Sequence, residues 1–132
     1  MKVLIVEDDI ISRQMLSSFL APHGDCDMVS DGEEAVGSFE EALKTDTPYD
    51  LVLMDIMMPN MNGQEALKQI RKMEVLQGIA PDDEVKVIMI TAVNDPKNIV
   101  EAFYKGGATS YIIKPIDGEK LINDIRNFGL IE

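Results

Sequence analysis

Five short apolar runs recur along the chain: Val3 to Val6, Met28 to Val29, Leu51 to Met54, Val87 to Ile90 and Tyr111 to Ile113. Several are rich in Val and Ile and nearly continuous rather than alternating, which suits strands of a parallel sheet covered on both faces. The stretches between them have helical spacing. Ile11, Met15, Leu16, Phe19 and Leu20 form an apolar stripe, and Pro22-His23-Gly24 ends that first helix. Asp31 followed by Glu34 has the pattern of a capping box and opens a second helix carrying Ala35, Val36, Phe39 and Leu43. Asn62 and Glu65 repeat the pattern ahead of Ala66, Leu67, Ile70 and Met73. Asp95-Pro96 starts a fourth helix with Ile99, Val100 and Phe103, and Gly106-Gly107 stops it. A fifth runs from about Asp117 to Asn127 with Leu121, Ile122 and Ile125 inward. Val75 to Glu84, with Gly78, Pro81 and three acids, is expected to be an extended connection.

Strict alternation of strand and helix predicts an α/β fold, a doubly wound five-stranded parallel sheet, because each return to a parallel strand needs a crossover. There is no internal repeat and no low-complexity segment. The whole of 1–132 is expected to form one domain, large enough to bury a core without disulfide or metal staples.

Composition narrows the function. A formal net charge of -12 repels a phosphate backbone, which argues against direct nucleic-acid binding and for protein partners. Cys26 is the single cysteine, expected as a small buried hydrophobe in a reducing compartment. His23, between Pro22 and Gly24, is expected in a solvated loop. Acids arrive at Glu7 before a signal-peptide core could form, and no apolar run approaches the roughly 20 residues of a membrane span. No membrane insertion and a cytoplasmic location are therefore expected.

Polar residues cluster at one end of the predicted strands. Glu7, Asp8 and Asp9 follow the first, Asp55 the third, Thr91 the fourth and Lys114 the fifth. In open α/β sheets the carboxyl edge is where ligands bind. Each of these residues alone would be an ordinary turn, cap or surface residue; their co-occurrence is what points to chemistry. Mg2+, or Mn2+ in its place, takes oxygen ligands that Asp8, Asp55 and an entering phosphoryl group could supply. A carboxylate oxygen can attack phosphorus held in line, while Lys114 offers positive charge and Thr91 a hydroxyl to the phosphoryl oxygens. The set lacks a dedicated nucleophile and base for an outside substrate, so a self-directed signalling domain is expected rather than an enzyme.

These residues carry a family resemblance. Val6-Glu7-Asp8-Asp9, Asp55-Ile56-Met57-Met58-Pro59-Asn60-Met61-Asn62-Gly63, Thr91-Ala92 and Lys114-Pro115 resemble the receiver domains of two-component response regulators, over essentially Lys2 to Asn127. The resemblance implies a flavodoxin-like (βα)5 fold with strand order 2-1-3-4-5 and phosphorylation of Asp55 by a sensor histidine kinase or histidine phosphotransfer protein. It implies that Glu7 and Asp8, rather than Asp8 and Asp9, bind the cation with Asp55, since Arg13 falls at the family's distance from the second acid. It further implies the Met57 backbone carbonyl as a metal ligand, a cis Lys114-Pro115 peptide, and Thr91 with Tyr111 as a switch pair. A downstream protein target is expected to dock near the fourth helix, fifth strand and fifth helix. Met57 and Val93 occupy positions that influence phosphoryl lifetime, and as apolar side chains they are expected to prolong it.

Other classes fit less well. Haloacid dehalogenase-like phosphatases place a second acid two positions after the nucleophile, where Met57 stands here. A flavin phosphate would meet an acidic first β-α turn. A degenerate scaffold would not be expected to keep Glu7, Asp8, Asp55, Thr91 and Lys114 together.

Overall fold

The computed structural model describes residues 1–92 and 95–132. Its order is β1 (Lys2–Val6), α1 (Ile10–Leu20), β2 (Asp25–Val29), α2 (Gly32–Lys44), β3 (Leu51–Asp55), α3 (Gly63–Leu76), β4 (Lys86–Thr91), α4 (Pro96–Glu101), β5 (Ser110–Ile113) and α5 (Gly118–Asn127). All neighbouring strands pair in parallel, in the order β2-β1-β3-β4-β5. The expected doubly wound sheet is what forms.

Alternate residues of the central strands feed two cores. Leu4, Val6, Val52, Met54, Val87 and Met89 meet Ala35 and Phe39 of α2 and Ala66, Leu67 and Ile70 of α3. Val3, Ile5, Leu51, Leu53, Ile88 and Ile90 meet Leu16 and Leu20 of α1 and Leu121 and Ile125 of α5. Both faces are covered, hence the continuous apolar runs. Caps set the helix starts: Asp31 accepts the Glu34 N–H, Asn62 that of Glu65, and Asp117 those of Glu119 and Lys120.

Four expectations need correction. In α1, Leu16 and Leu20 enter the core, but Ile11 is 76% exposed and Met15 also faces solvent. A helix turns about 100° per residue, so positions 15 and 11 lie about 100° and about 140° round from Leu16. Cys26 is only half-buried, because β2 is an edge strand with Asp25 and Asp27 outward; burial, then those two carboxylates, push its thiol pKa up. Val75 and Leu76 belong to α3, and the connection that follows contains a 3₁₀ turn at Pro81–Asp83. The fourth helix does not run uniformly to its glycines: α4 continues as a wider π turn over Ala102–Gly106, ended by Gly107 at φ 75°.

Candidate functional site: an acidic crevice at the carboxyl edge

Parallel strands bring their carboxyl ends to one edge, where Glu7 and Asp8 after β1, Asp55 at the end of β3, Thr91 at the end of β4 and Lys114 after β5 all lie. Glu7 prolongs β1, its N–H donating to Val29 O (3.1 Å), and its side chain is buried. Asp55 closes β3 and is also buried, whereas Asp8 is exposed. One carboxylate oxygen from each of Glu7, Asp8 and Asp55 lies within 4.8 Å of the other two. Asp9 is occupied elsewhere: it caps α1, accepting the Ile11 N–H at 3.3 Å and the Ser12 hydroxyl at 2.7 Å. Arg13 reaches back to the Glu7 carbonyl at 3.4 Å.

Lys114 supplies the positive charge. Its ammonium donates to Asp55 Oδ2 at 3.2 Å and lies 3.5 Å from Glu7 Oε2. Its own N–H donates to Thr91 O (2.8 Å), and the Lys114-Pro115 peptide is cis. Burial works against the ammonium charge, yet Asp55 and Glu7 more than offset it and hold the lysine pKa above its ordinary value. The Glu7 pKa is raised as well, which for a carboxyl disfavours the charged form: burial, then repulsion from Asp55, push it from 4.5 to about 7. Its Oε2 makes no hydrogen bond, and neither does the buried Thr91 Oγ1, among the described residues. Three carboxylates, one of them with a buried oxygen that has no hydrogen-bond partner among the described residues, are a donor set that suits a hard divalent cation.

The loop after β3 is closed by its surroundings. Met57 N–H donates to Asp55 Oδ1 (3.2 Å), and Gly63 N–H to Ile56 O (2.9 Å). Asn60, at φ 65°, donates to Asp31 Oδ2 (2.7 Å), while Gly32 N–H donates to Met61 O (3.0 Å). Sequence reasoning missed this tie between α2 and the loop; Asp31 had shown itself only as a cap. The Met57 side chain is 68% exposed, and Val93 lies outside the described residues. Tyr111 pairs with Met89, on the same face of the sheet as Thr91, and meets Phe103 edge to face at 5.8 Å. His23 falls in the turn after α1, half-buried.

Two hollows, of about 290 and 390 Å³, lie at the opposite edge, lined by Leu43, Met73 and Leu76 and by Tyr49, Ile79 and Val85. They contain none of the converging acids. Charge and buried oxygens without a hydrogen-bond partner among the described residues coincide instead in the crevice, which makes it the candidate site.

Comparison with known proteins agrees with this geometry. The family model described as "Response regulator receiver domain" matches residues 3–126. The chain is 34% identical to the chemotaxis protein CheY of Thermotoga maritima, over 92% of this chain and 91% of that protein. It is 32% identical to hybrid signal transduction histidine kinase I of Dictyostelium discoideum, over 96% of this chain but only 7% of that protein's length. Among solved structures, the co-crystal of the Saccharomyces cerevisiae histidine phosphotransfer signaling protein Ypd1 with the receiver domain of Ssk1 matches with a TM-score of 0.83. Identity there is 30%, over 98% of this chain and 88% of the matched one. With its fold, strand order and nearly whole length accounted for in this way, the chain belongs to the response regulator receiver domains of two-component signalling.

Proposed function

We propose that this receiver accepts a phosphoryl group on Asp55 from a sensor histidine kinase or a histidine phosphotransfer protein, and that the modification changes its affinity for a protein partner. The observation that carries this is the junction of three acids with Lys114, whose ammonium stands 3.2 Å from Asp55 Oδ2. An Asp55 oxygen attacks the phosphorus of a phosphohistidine; the O–P bond forms as the P–N bond breaks, and the imidazole leaves with the electron pair and takes up a proton. Lys114 balances charge on the phosphoryl oxygens, and the Thr91 hydroxyl, buried without a hydrogen-bond partner among the described residues, can donate to one of them. Glu7, Asp8, Asp55 and the Met57 carbonyl would hold Mg2+ or Mn2+, which when bound offsets the negative charge that gathers at the acceptor.

The Ypd1 co-crystal supports a phosphotransfer partner of that kind for this fold. Output through the face of α4, β5 and α5 is supported by its exposed apolar side chains, Val100, Tyr104, Tyr111 and Ile113. No helix among the described residues is long and apolar enough to cross a membrane, and a cytoplasmic site of action fits a kinase-fed receiver. Incubation with acetyl phosphate and Mg2+, followed by mass spectrometry, tests the acceptor: the wild type gains one phosphoryl group and Asp55→Asn gains none. Full incorporation into Asp55→Asn overturns the assignment.

A further inference from the structure

Polar side chains of α3 grip the α4 segment along a single helical face. Gln64, Lys68 and Arg71, four and three residues apart, are neighbours on that face. Gln64 Nε2 donates to the Asn98 main-chain carbonyl at 2.6 Å. Lys68 Nζ pairs with Glu101 Oε2 at 3.3 Å. Arg71 Nε and Nη2 both donate to the Gly107 carbonyl, at 3.0 and 2.9 Å.

The three contacts differ in kind. Arg71 is itself held by Glu74 and by the Val85 carbonyl, so the Gly107 end of the segment is pinned. The Lys68 pair is open to water, and exposed pairs of this sort contribute little. Gln64 is 4% exposed, so its bond to Asn98 is shielded from competing solvent. Asn98 O also accepts the Ala102 N–H inside the helix, so it keeps a partner when Gln64 lets go. Gln64 Oε1 and Thr91 Oγ1 are both buried with no hydrogen-bond partner among the described residues. Buried acceptors left unpaired raise the energy of the arrangement that contains them. The resting contact at Asn98 is therefore firm enough to hold and poised to release, whereas the contact at Gly107 is fixed.

We propose that Gln64 is a positioning residue: it latches the first turn of α4 in the resting arrangement and thereby sets how readily Asp55 takes a phosphoryl group. The segment is pinned at Gly107 and released at Asn98. This rests on the phosphoacceptor reading above. A ligand that favours the released arrangement must overcome the latch, so weakening the latch tightens that ligand.

Beryllofluoride with saturating Mg2+, titrated by calorimetry into the full chain, is the test. Gln64→Met keeps length and bulk but cannot donate; it should bind beryllofluoride about two- to tenfold more tightly, the range one neutral hydrogen bond supports. Its reaction with acetyl phosphate should accelerate to match, with Mg2+ affinity unchanged. Gln64→Leu is the second variant, with the same expectation, and Lys68→Met should stay within about twofold of wild type. A purely structural glutamine would lower stability without tightening the ligand. Equal or weaker beryllofluoride binding in Gln64→Met and Gln64→Leu overturns the latch, as does an equal gain in Lys68→Met. Wild-type protein that shows no Mg2+-dependent beryllofluoride binding overturns the phosphoacceptor reading and the latch together.

Discussion

Glu74, near the end of α3, and Glu7, just past β1, are equally deep in the protein and each faces a basic side chain. Glu74 has both oxygens engaged: Oε1 accepts from Arg71 and Oε2 from the Val85 N–H, each at 2.7 Å. Among the described residues, Glu7 accepts only the Asp9 N–H through Oε1, at 3.2 Å, while its Oε2 stands 3.5 Å from Lys114 without a hydrogen bond. One carboxylate is finished by the fold and ties α3 to the start of β4. The other is left open by the fold, which costs stability and makes a site. A buried ion pair is thus structural or functional according to whether its remaining lone pairs are satisfied.

The comparison can be broken most sharply at Glu74. Glu74→Ala leaves Arg71 and the Val85 N–H without their acceptor and should cost about 3–5 kcal/mol of stability, measured by urea unfolding, with Mg2+ affinity unchanged. An equal loss of metal affinity would show that the two glutamates do not divide the labour in this way.

Glu7→Gln should do the reverse. Mg2+ binding should weaken by about tenfold or more, as loss of a ligand must exceed the usual effect of losing a supporting residue, while the metal-free protein gains stability at neutral pH. The sign follows from linkage: the folded carboxyl titrates near 7 against 4.5 in the ordinary state, so the folded protein binds the extra proton. That contribution to stability is fully present below about pH 4.5 and is lost as pH rises through about 7. Thermal unfolding of wild type without metal should therefore show a falling contribution across this window that Glu7→Gln lacks. Added Mg2+, which selects the ionised form, should restore stability above pH 7.

The smallest effect is expected at Asp9. Its carboxylate is committed to the Ile11 N–H and Ser12 hydroxyl, so Asp9→Ala should lower the melting temperature slightly and leave Mg2+ affinity within about twofold. A large loss of metal binding would transfer the ligand role from Glu7 to Asp9.

Features fixed by local chemistry were legible in the sequence. The apolar runs named the strands, and Asp31, Asn62 and Asp117 marked helix starts because a cap needs only its neighbours two or three residues on. The convergence at the carboxyl edge followed from parallel pairing alone. Contacts across distant segments were not legible. Nothing periodic links Arg71 to Gly107, 36 positions away, or Asn60 to Asp31, 29 away. The outward turn of Ile11 and Met15 depends on which side of α1 meets the sheet, a tertiary choice that apolar spacing does not make. The family resemblance supplied what spacing could not, the strand order and the cis peptide, and both are present in the structure.

The tie between α2 and the loop after β3 bears on mutational tolerance. Gly32 sits so close to the Met61 carbonyl that any side chain there would collide with main chain, and Asn60 holds the left-handed turn while bridging to Asp31. The position of Asp55, the proposed acceptor, is thus underwritten by residues outside the acidic crevice. Inherited changes at Gly32 would look, by location, like harmless helix variants, yet they would displace the loop that follows directly on Asp55. In this protein the set of positions closed to variation is wider than the set that does chemistry, and it extends into the first turn of α2.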